Sequence, residues 1–432
     1  MADLQQASTE LLQQLIRFNT VNPPGNERPA QEHLAGLLEP AGFEVTLLEA
    51  EPDRTNLVAR LPGHADGPRL GLLSHVDTVL ANPAEWSHGP WSGDLADGAV
   101  WGRGALDMKS QTAAEVAAAL DLAASGWRPA EGELVVMVMA DEETGGHLGA
   151  HWMTDQHPDL VRCDYLLNEG GGDTFLYEGR RFVSLGCAEK GVFRFEVATD
   201  GVAGHASVPK MGDNALLKMA PILERLGSRQ PSFDVTEEPR ALLAALAPGV
   251  EDPVAALAQV AESSPGLAFL IEPMLGVTLA PTRIRASEKV NVIPSEAVLQ
   301  VDCRVPPGLG EAEALARAEE VLGRDGHRIE FFDRVVGNRS PRDTPFGDAI
   351  AAWLGEHDPD AVLVPSVLPG FTDSRWFREA FPDCVAYGFF PHTYMQMHEA
   401  APLIHSADER IDVRDLGVAA EFYRDIAMRM LG

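Results

Sequence analysis

Residues 133–143 read ELVVMVMADEE. The first eight, 133–140, form an apolar run of strand length with no polar alternation, as expected of a strand buried on both faces at the centre of a sheet. The run then breaks into three consecutive acids, Asp141, Glu142 and Glu143. In open α/β sheets, ligand sites form in the crevice outside the carboxyl ends of the strands. The acids stand where such a site would be, although taken alone they fit a solvated loop of like charges equally well.

Working outward, the first 180 or so residues alternate strand and helix signals. Leu11, Leu12, Leu15 and Ile16 mark one helix face, and 43–48 and 56–60 read as strands. Residues 69–74, RLGLLS, are a short apolar run ending at polar residues; 110–124 is an Ala-rich helix, and 165–167 ends another strand. This alternation predicts an α/β layered sheet with helices on both faces. From about Arg181 the texture changes. VFRFEVATDG (192–201) alternates apolar and polar residues, as a half-solvated strand does. Helices at 214–226, 253–262 and 311–322 and strands at 276–284, 297–304 and 328–332 describe an α+β domain. After about Ser340 the earlier alternation returns and ends in a helix over 412–430. The second domain is therefore expected as an insertion, with 1–184 and 336–432 forming the first domain and 185–335 the second. The Ala/Pro/Glu-rich stretch 231–273 reads as a mobile excursion of the insertion.

The chain has 432 residues, enough for two or three cores, and an ordinary 45% hydrophobic content. Its 34 basic and 65 acidic residues give a net charge of −31, which argues against nucleic acid and anionic membrane as partners. The four cysteines, Cys163, Cys187, Cys303 and Cys384, lie far apart with no CxxC pair. Neither a thiolate zinc site nor a disulfide framework is expected, so any metal must use histidine and carboxylate ligands. The amino-terminal residues lack the basic start and apolar run of a signal peptide, and no apolar stretch reaches the roughly 18 residues that would span a membrane. The expected compartment is the cytoplasm.

Five clusters sit where strands end: SHVDTV (74–79), GRGALDMKS (102–110), DEETGG (141–146), NEGGG (168–172) and IHSADER (404–410). Each is weak alone. His75 with Asp77 is an ordinary surface pair, Asp107 a helix N-cap, Glu169 a turn carboxylate, and His405 a loop histidine. Together they meet a stricter requirement. A dication site without thiolates draws histidines and carboxylates from separate segments. Two ions about 3.5–4 Å apart also need one carboxylate shared between them.

In this order the clusters resemble the M20 family of metallopeptidases and deacylases, over about residues 8–425. The resemblance implies a zinc-peptidase-like α/β/α catalytic domain with an inserted α+β lid or dimerisation domain. It implies two Zn2+ ions, with Co2+ or Mn2+ compatible with the same ligands. His75 and Glu169 would bind the first ion, Glu143 and His405 the second, and Asp107 would bridge both, with a cis peptide bond after it. Asp77 would orient His75, and Glu142 would be the general base of amide hydrolysis.

Within the insertion, GVAGHASVP (201–209) resembles the segment whose histidine, here His205, stabilises the oxyanion and in dimeric relatives reaches the partner's site. NVIPSEA (291–297) and VDCR (301–304) resemble segments that would bring Asn291 and Arg304 to the substrate, though both residues are equally well structural. GFTDSRWF (370–377) resembles the Gly-Thr-Asp segment near the substrate and contributes Thr372, Asp373 and Arg375, with Phe371 departing from the family's Gly-Gly-Thr. His398-Glu399 competes with His405 for the last ligand, and the ADERI that follows His405 in phase favours the latter. Glu rather than Asp at 169 implies an N-acyl amino acid or a short peptide cut at its carboxyl end, with a dipeptidase or aminopeptidase as the alternative. A homodimer through the inserted domain is also expected. An inactive metal-binding protein is the remaining reading, and no lost ligand supports it.

Overall fold

The computed structural model describes residues 3–432. The chain divides into two units. One comprises Met1–Cys187, Ser340–Pro365 and Thr372–Gly432; the other comprises Ala188–Arg339 and Ser366–Phe371. The expected joins at 184/185 and 335/336 thus fall at 187/188 and 339/340, and a short later segment also packs with the second unit.

At the centre of the first unit the strand Glu133–Met139 runs parallel to Arg69–His75, which runs parallel to Tyr165–Asn168, which in turn runs parallel to Val385–Gly388. Thr55–Pro62 pairs antiparallel on the other side of Glu133–Met139, and Glu44–Glu49 continues the sheet outward. Every residue of Glu133–Met139 is buried. Its side chains alternate between two cores, with Leu134, Val136 and Val138 in one and Val135, Met137 and Met139 in the other. The unbroken apolar run therefore marks a strand covered on both faces. One cover is made by the helices Leu4–Arg17, Arg28–Leu38, Lys109–Ala124, Pro345–His357 and Val413–Leu431, and the other by Ala150–Gln156 and Ser374–Ala380. Alanines at 113, 114, 118 and 119 let the Lys109–Ala124 helix be buried among its neighbours with little side-chain bulk. Four parallel strands in this order bring the residues after 75, 139, 168 and 388 to one edge.

The second unit is built on an antiparallel sheet in the order Gly191–Val192, Glu296–Val305, Phe195–Asp200, Arg328–Phe331, with Thr278–Arg285 also paired to Glu296–Val305. The helices Ala215–Ser228 and Glu311–Leu322 cover it through Met219, Ile222, Ala318 and Leu322 against Phe195, Val197, Leu299 and Val301. The fold class expected from the sequence, an α/β/α layer with an α+β insertion, is the one observed. The stretch 231–273 differs from expectation. It is packed helix rather than an open excursion, with helices Glu237–Leu246, Pro253–Ser263 and Pro265–Ile271 burying Leu242, Leu243, Leu246, Val260 and Ile271. Its prolines start helices at 253 and 265, where a missing N–H is harmless. Among the described residues no helix is long and apolar enough to cross a membrane.

The end of this helical stretch is fastened by the buried Lys190, whose Nζ donates to the carbonyls of Pro273 (2.8 Å) and Gly276 (2.7 Å). Burial pushes its ammonium down from the usual 10.5 to about 7. Between those values the unfolded chain holds a proton that the folded chain has shed, so this group makes stability rise with pH, by up to about 1.4 kcal/mol per pH unit. Lys190→Met should lose that slope. Urea unfolding of wild type and variant from pH 7 to 9.5 should show a stability difference that changes with pH; a constant difference would contradict it.

Candidate metal centre

His75 closes the strand Arg69–His75 and is buried. Its Nδ1 lies 3.0 Å from the Asp77 carbonyl oxygen, which can only accept, so Nδ1 carries a proton and Nε2 is the atom turned toward the carboxylates. That Nε2 is buried without a hydrogen-bond partner and faces Asp107 Oδ1 at 3.3 Å, Glu169 Oε1 at 3.7 Å and Glu142 Oε2 at 3.8 Å. An orphaned buried imidazole nitrogen aimed at three carboxylates fits a position that takes a cation. The other oxygen of Asp107, Oδ2, lies 3.0 Å from His405 Nε2, which is 3.2 Å from Glu143 Oε2. Two ligand groups result, His75–Asp107–Glu169 and Asp107–Glu143–His405, each with donor atoms within 4.8 Å of one another and with Asp107 common to both. Nitrogen and oxygen donors in sets of three, joined by one carboxylate, fit a pair of divalent first-row ions.

The backbone is held as tightly as the ligands. The Asp107–Met108 peptide bond is cis. The buried Glu409 takes the N–H groups of Leu106 (2.7 Å) and Asp107 (3.1 Å) on one oxygen, and the Gly104 N–H (3.2 Å) and Arg103 Nη1 (2.6 Å) on the other. Asp77 accepts the N–H of Glu142 on Oδ1 and that of Glu143 on Oδ2, both at 3.2 Å. It therefore steadies the two-glutamate turn as well as the strand end at His75. Asn168, just before Glu169, donates to Thr372 Oγ1 (3.1 Å) and Ser374 Oγ (3.0 Å).

Burial, reinforced by the carboxylates of Glu169, Asp373 and Glu143, pushes Glu142 well above the usual carboxylate range, with His75 pulling the other way. Burial and Asp107 do the same to Glu169. Asp107 shows the opposite balance: burial would raise it, but His405 and His75 hold it below the usual range. His405, bonded to Asp107 and Glu143, is pushed up to about 10.

Of the residues singled out from the sequence, His75, Asp77, Asp107, Glu142, Glu143, Glu169 and His405 come together. His398 does not: it is exposed, and Glu399 instead caps its own short helix by accepting the Gln396 N–H. Thr372 and Asp373 are buried. Thr372 supports Asn168, and Asp373 stands close enough to Glu142 and Glu169 to raise both. Arg375 lies over the Trp376 ring at 4.0 Å. In the second unit, Arg304 already forks onto Asp302, with Nε 2.7 Å from Oδ1 and Nη2 3.3 Å from Oδ2. This pairing of Arg304 with its near neighbour lies within the strand Glu296–Val305. Asn291 is exposed, and its carbonyl accepts the Ala206 N–H. His205 is exposed, and its Nδ1 accepts the Ser207 N–H at 3.2 Å, which leaves Nε2 as the donor.

Sequence reasoning missed Glu409, Asn168, Asn22, Arg54 and Asp141 as supports of the site. Glu409, Asp141 and Asn168 lie inside the ADERI, DEETGG and NEGGG stretches, whereas Asn22 and Arg54 stand outside every cluster.

Residues 71–429 match the sequence model of Peptidase family M20/M25/M40. The succinyl-diaminopimelate desuccinylase of Wolbachia sp. subsp. Brugia malayi (strain TRS) is 32% identical over 234 residues, 52% of this chain and 55% of that protein, so this match spans about half of that relative's length. The succinyl-diaminopimelate desuccinylase of Paracoccus denitrificans (strain Pd 1222) is 27% identical over 429 residues, 97% of each chain. Among solved structures, the M20 family metallo-carboxypeptidase Sso-CP2 from Sulfolobus solfataricus shares the fold with a TM-score of 0.71 at 17% identity, over 97% of this chain and 98% of that one. A family match over most of the chain, on a fold that gathers two histidine–carboxylate groups around one aspartate, leads to one conclusion: the chain belongs to peptidase family M20/M25/M40, a family of metal-dependent hydrolases.

Proposed function

We propose that the protein is a two-metal amidohydrolase that releases the acyl group of an N-acyl amino acid or the last residue of a short peptide. The observation that carries this reading is Asp107, which turns one oxygen to His75 and the other to His405 beside an uncommitted glutamate, Glu142. His75, Asp107 and Glu169 would hold one ion, and Asp107, Glu143 and His405 the other. Zinc is our assignment from the donor set, which cobalt and manganese would also suit. When bound, such a pair polarises the scissile carbonyl and lowers the pKa of water toward neutrality.

The chain's own residues supply the proton handling. Glu142, its carboxyl raised by burial and by acidic neighbours, takes a proton from the attacking water and delivers it to the leaving nitrogen. Asp77 keeps the Glu142 and Glu143 amides in place. His205, with its proton set on Nε2, is the donor we assign to the oxyanion.

Glu169 rather than aspartate favours the deacylase or carboxypeptidase reading. One observation favours a dipeptidase or aminopeptidase instead: the Asp373 carboxyl beside Glu142 and Glu169 adds negative charge that would attract a substrate amino group. We further assign a homodimer to the second unit. Its edge strand Thr278–Arg285 is exposed along most of its length, and the helix Ala215–Ser228 exposes Leu216, Leu217 and Leu223. All four cysteines are free thiols, in keeping with a cytoplasmic location.

Metal analysis of the purified protein should find two equivalents per chain, about one in His405→Ala, and two in His398→Ala. Loss of an equivalent from His398→Ala alone would reverse the ligand assignment. Glu142→Gln should keep both equivalents while kcat falls by about 10²–10⁴-fold. A screen of N-acetyl, N-succinyl and dipeptide substrates with added zinc or cobalt, and a chelator control, tests the reaction class; turnover that survives complete metal removal would overturn it.

A further inference from the structure

The sequence NPPGNE at 22–27 contains no residue of the metal groups, yet two of its side chains, Asn22 and Glu27, support the turn that carries Glu143. Asn22 is 5% exposed, and its Nδ2 lies 2.9 Å from Asp77 Oδ2, 3.1 Å from Asp141 Oδ1 and 3.2 Å from Thr144 Oγ1. Those acceptors belong to two different strand ends. Asp77 follows Arg69–His75, whereas Asp141 and Thr144 belong to the turn after Glu133–Met139. One amide thus joins the segment bearing His75 to the segment bearing Glu142 and Glu143. It also lies between two buried carboxylates and donates to both.

Asp141 needs this support. Its φ of 72° is left-handed, a conformation that a non-glycine residue holds only when its surroundings enforce it. Its carboxylate accepts Thr144 Oγ1 (2.6 Å), the Leu148 N–H (3.1 Å), Asn22 and Arg54 Nη2 (2.9 Å). Arg54 in turn forks onto the fully buried Glu27, with Nε 2.9 Å from Oε2 and Nη2 2.9 Å from Oε1. Gly25 makes room for it: a Cβ there would lie 2.3 Å from Arg54 Nε, and its φ of +76° favours glycine.

We propose that Asn22, backed by Arg54 and Glu27, is a positioning residue that sets the Glu142–Glu143 turn against the strand end of His75. The inference rests on the roles proposed above for those two glutamates. Asn22 touches neither metal nor substrate in this scheme. Its contribution is to fix the distance between a base and a ligand on one strand end and a ligand on another.

The test compares wild type with Asn22→Ala, Asn22→Asp (same shape, no N–H), Arg54→Ala and Arg54→Lys. Three quantities are measured: kcat and KM on the best substrate from the screen, the affinity for the second metal equivalent by calorimetry, and the unfolding midpoint. Both Asn22 variants should lose about 10- to 100-fold in kcat and in second-equivalent affinity, the range typical of groups that hold ligands in place. KM should stay within about twofold by the same argument, since no substrate contact is lost. Arg54→Lys, which keeps the charge without the fork, should fall between wild type and Arg54→Ala. The inference is overturned if kcat per folded chain and metal affinity stay at wild-type values while only the unfolding midpoint drops. If the wild type binds two metals but hydrolyses none of the amides, the proposed reaction fails, and metal affinity in the same variants still decides the role of Asn22. A wild type that takes up no metal would overturn both.

Discussion

Five acids, Asp77, Asp107, Glu142, Glu143 and Glu169, crowd two imidazoles at one edge of a parallel sheet. Like charges a few ångströms apart in a partly dry cleft repel strongly. His75 and His405 can be protonated and still leave Glu142 and Glu169 pushed well above their ordinary range. The pair of divalent cations proposed for this site would remove that frustration. The rest of the first unit is arranged to keep the acids together despite it, as expected of a site that gives up local stability for function.

How they are kept together follows from the sheet. Parallel neighbours end at the same edge, so His75, Asp141 and Glu169 converge because Arg69–His75, Glu133–Met139 and Tyr165–Asn168 lie side by side. Convergence of strand ends sets positions to within a few ångströms; hydrogen bonds to the connecting backbone do the rest. Glu409 holds the turn of Asp107, Asp77 holds the amides of Glu142 and Glu143, and Asn168 is tied to Thr372 and Ser374. Each is a buried polar group with its partners satisfied, which is how such groups specify one arrangement rather than several.

The second unit follows a different logic. Its antiparallel sheet is covered by two helices, and its Arg194–Asp302–Arg304 cluster is engaged within the sheet itself. In the same unit the exposed His205 accepts the Ser207 N–H on Nδ1. Helices that begin at proline organise the Ala/Pro/Glu-rich stretch 231–273. Composition misled there because alanine, glutamate and proline are common to loops and to helix starts alike.

What the sequence determined by itself was the set of local patterns. The apolar run at 133–140 announced a doubly covered strand, the alternation of elements announced the α/β class, and five ordered clusters carried the resemblance to the M20 family that implied His75, Asp107, Glu143, Glu169 and His405 as ligands. These were legible because side-chain periodicity and ligand chemistry are properties of neighbouring residues. Only the tertiary structure decided which polar residues hold that site in place. Asn22 meets Asp141 across 119 positions, and Glu409 meets Asp107 across 302. It also decided that Arg304 pairs with Asp302 and that His398 lies exposed. Hydrogen bonds between distant segments depend on where the fold brings them, and no spacing along the chain encodes that.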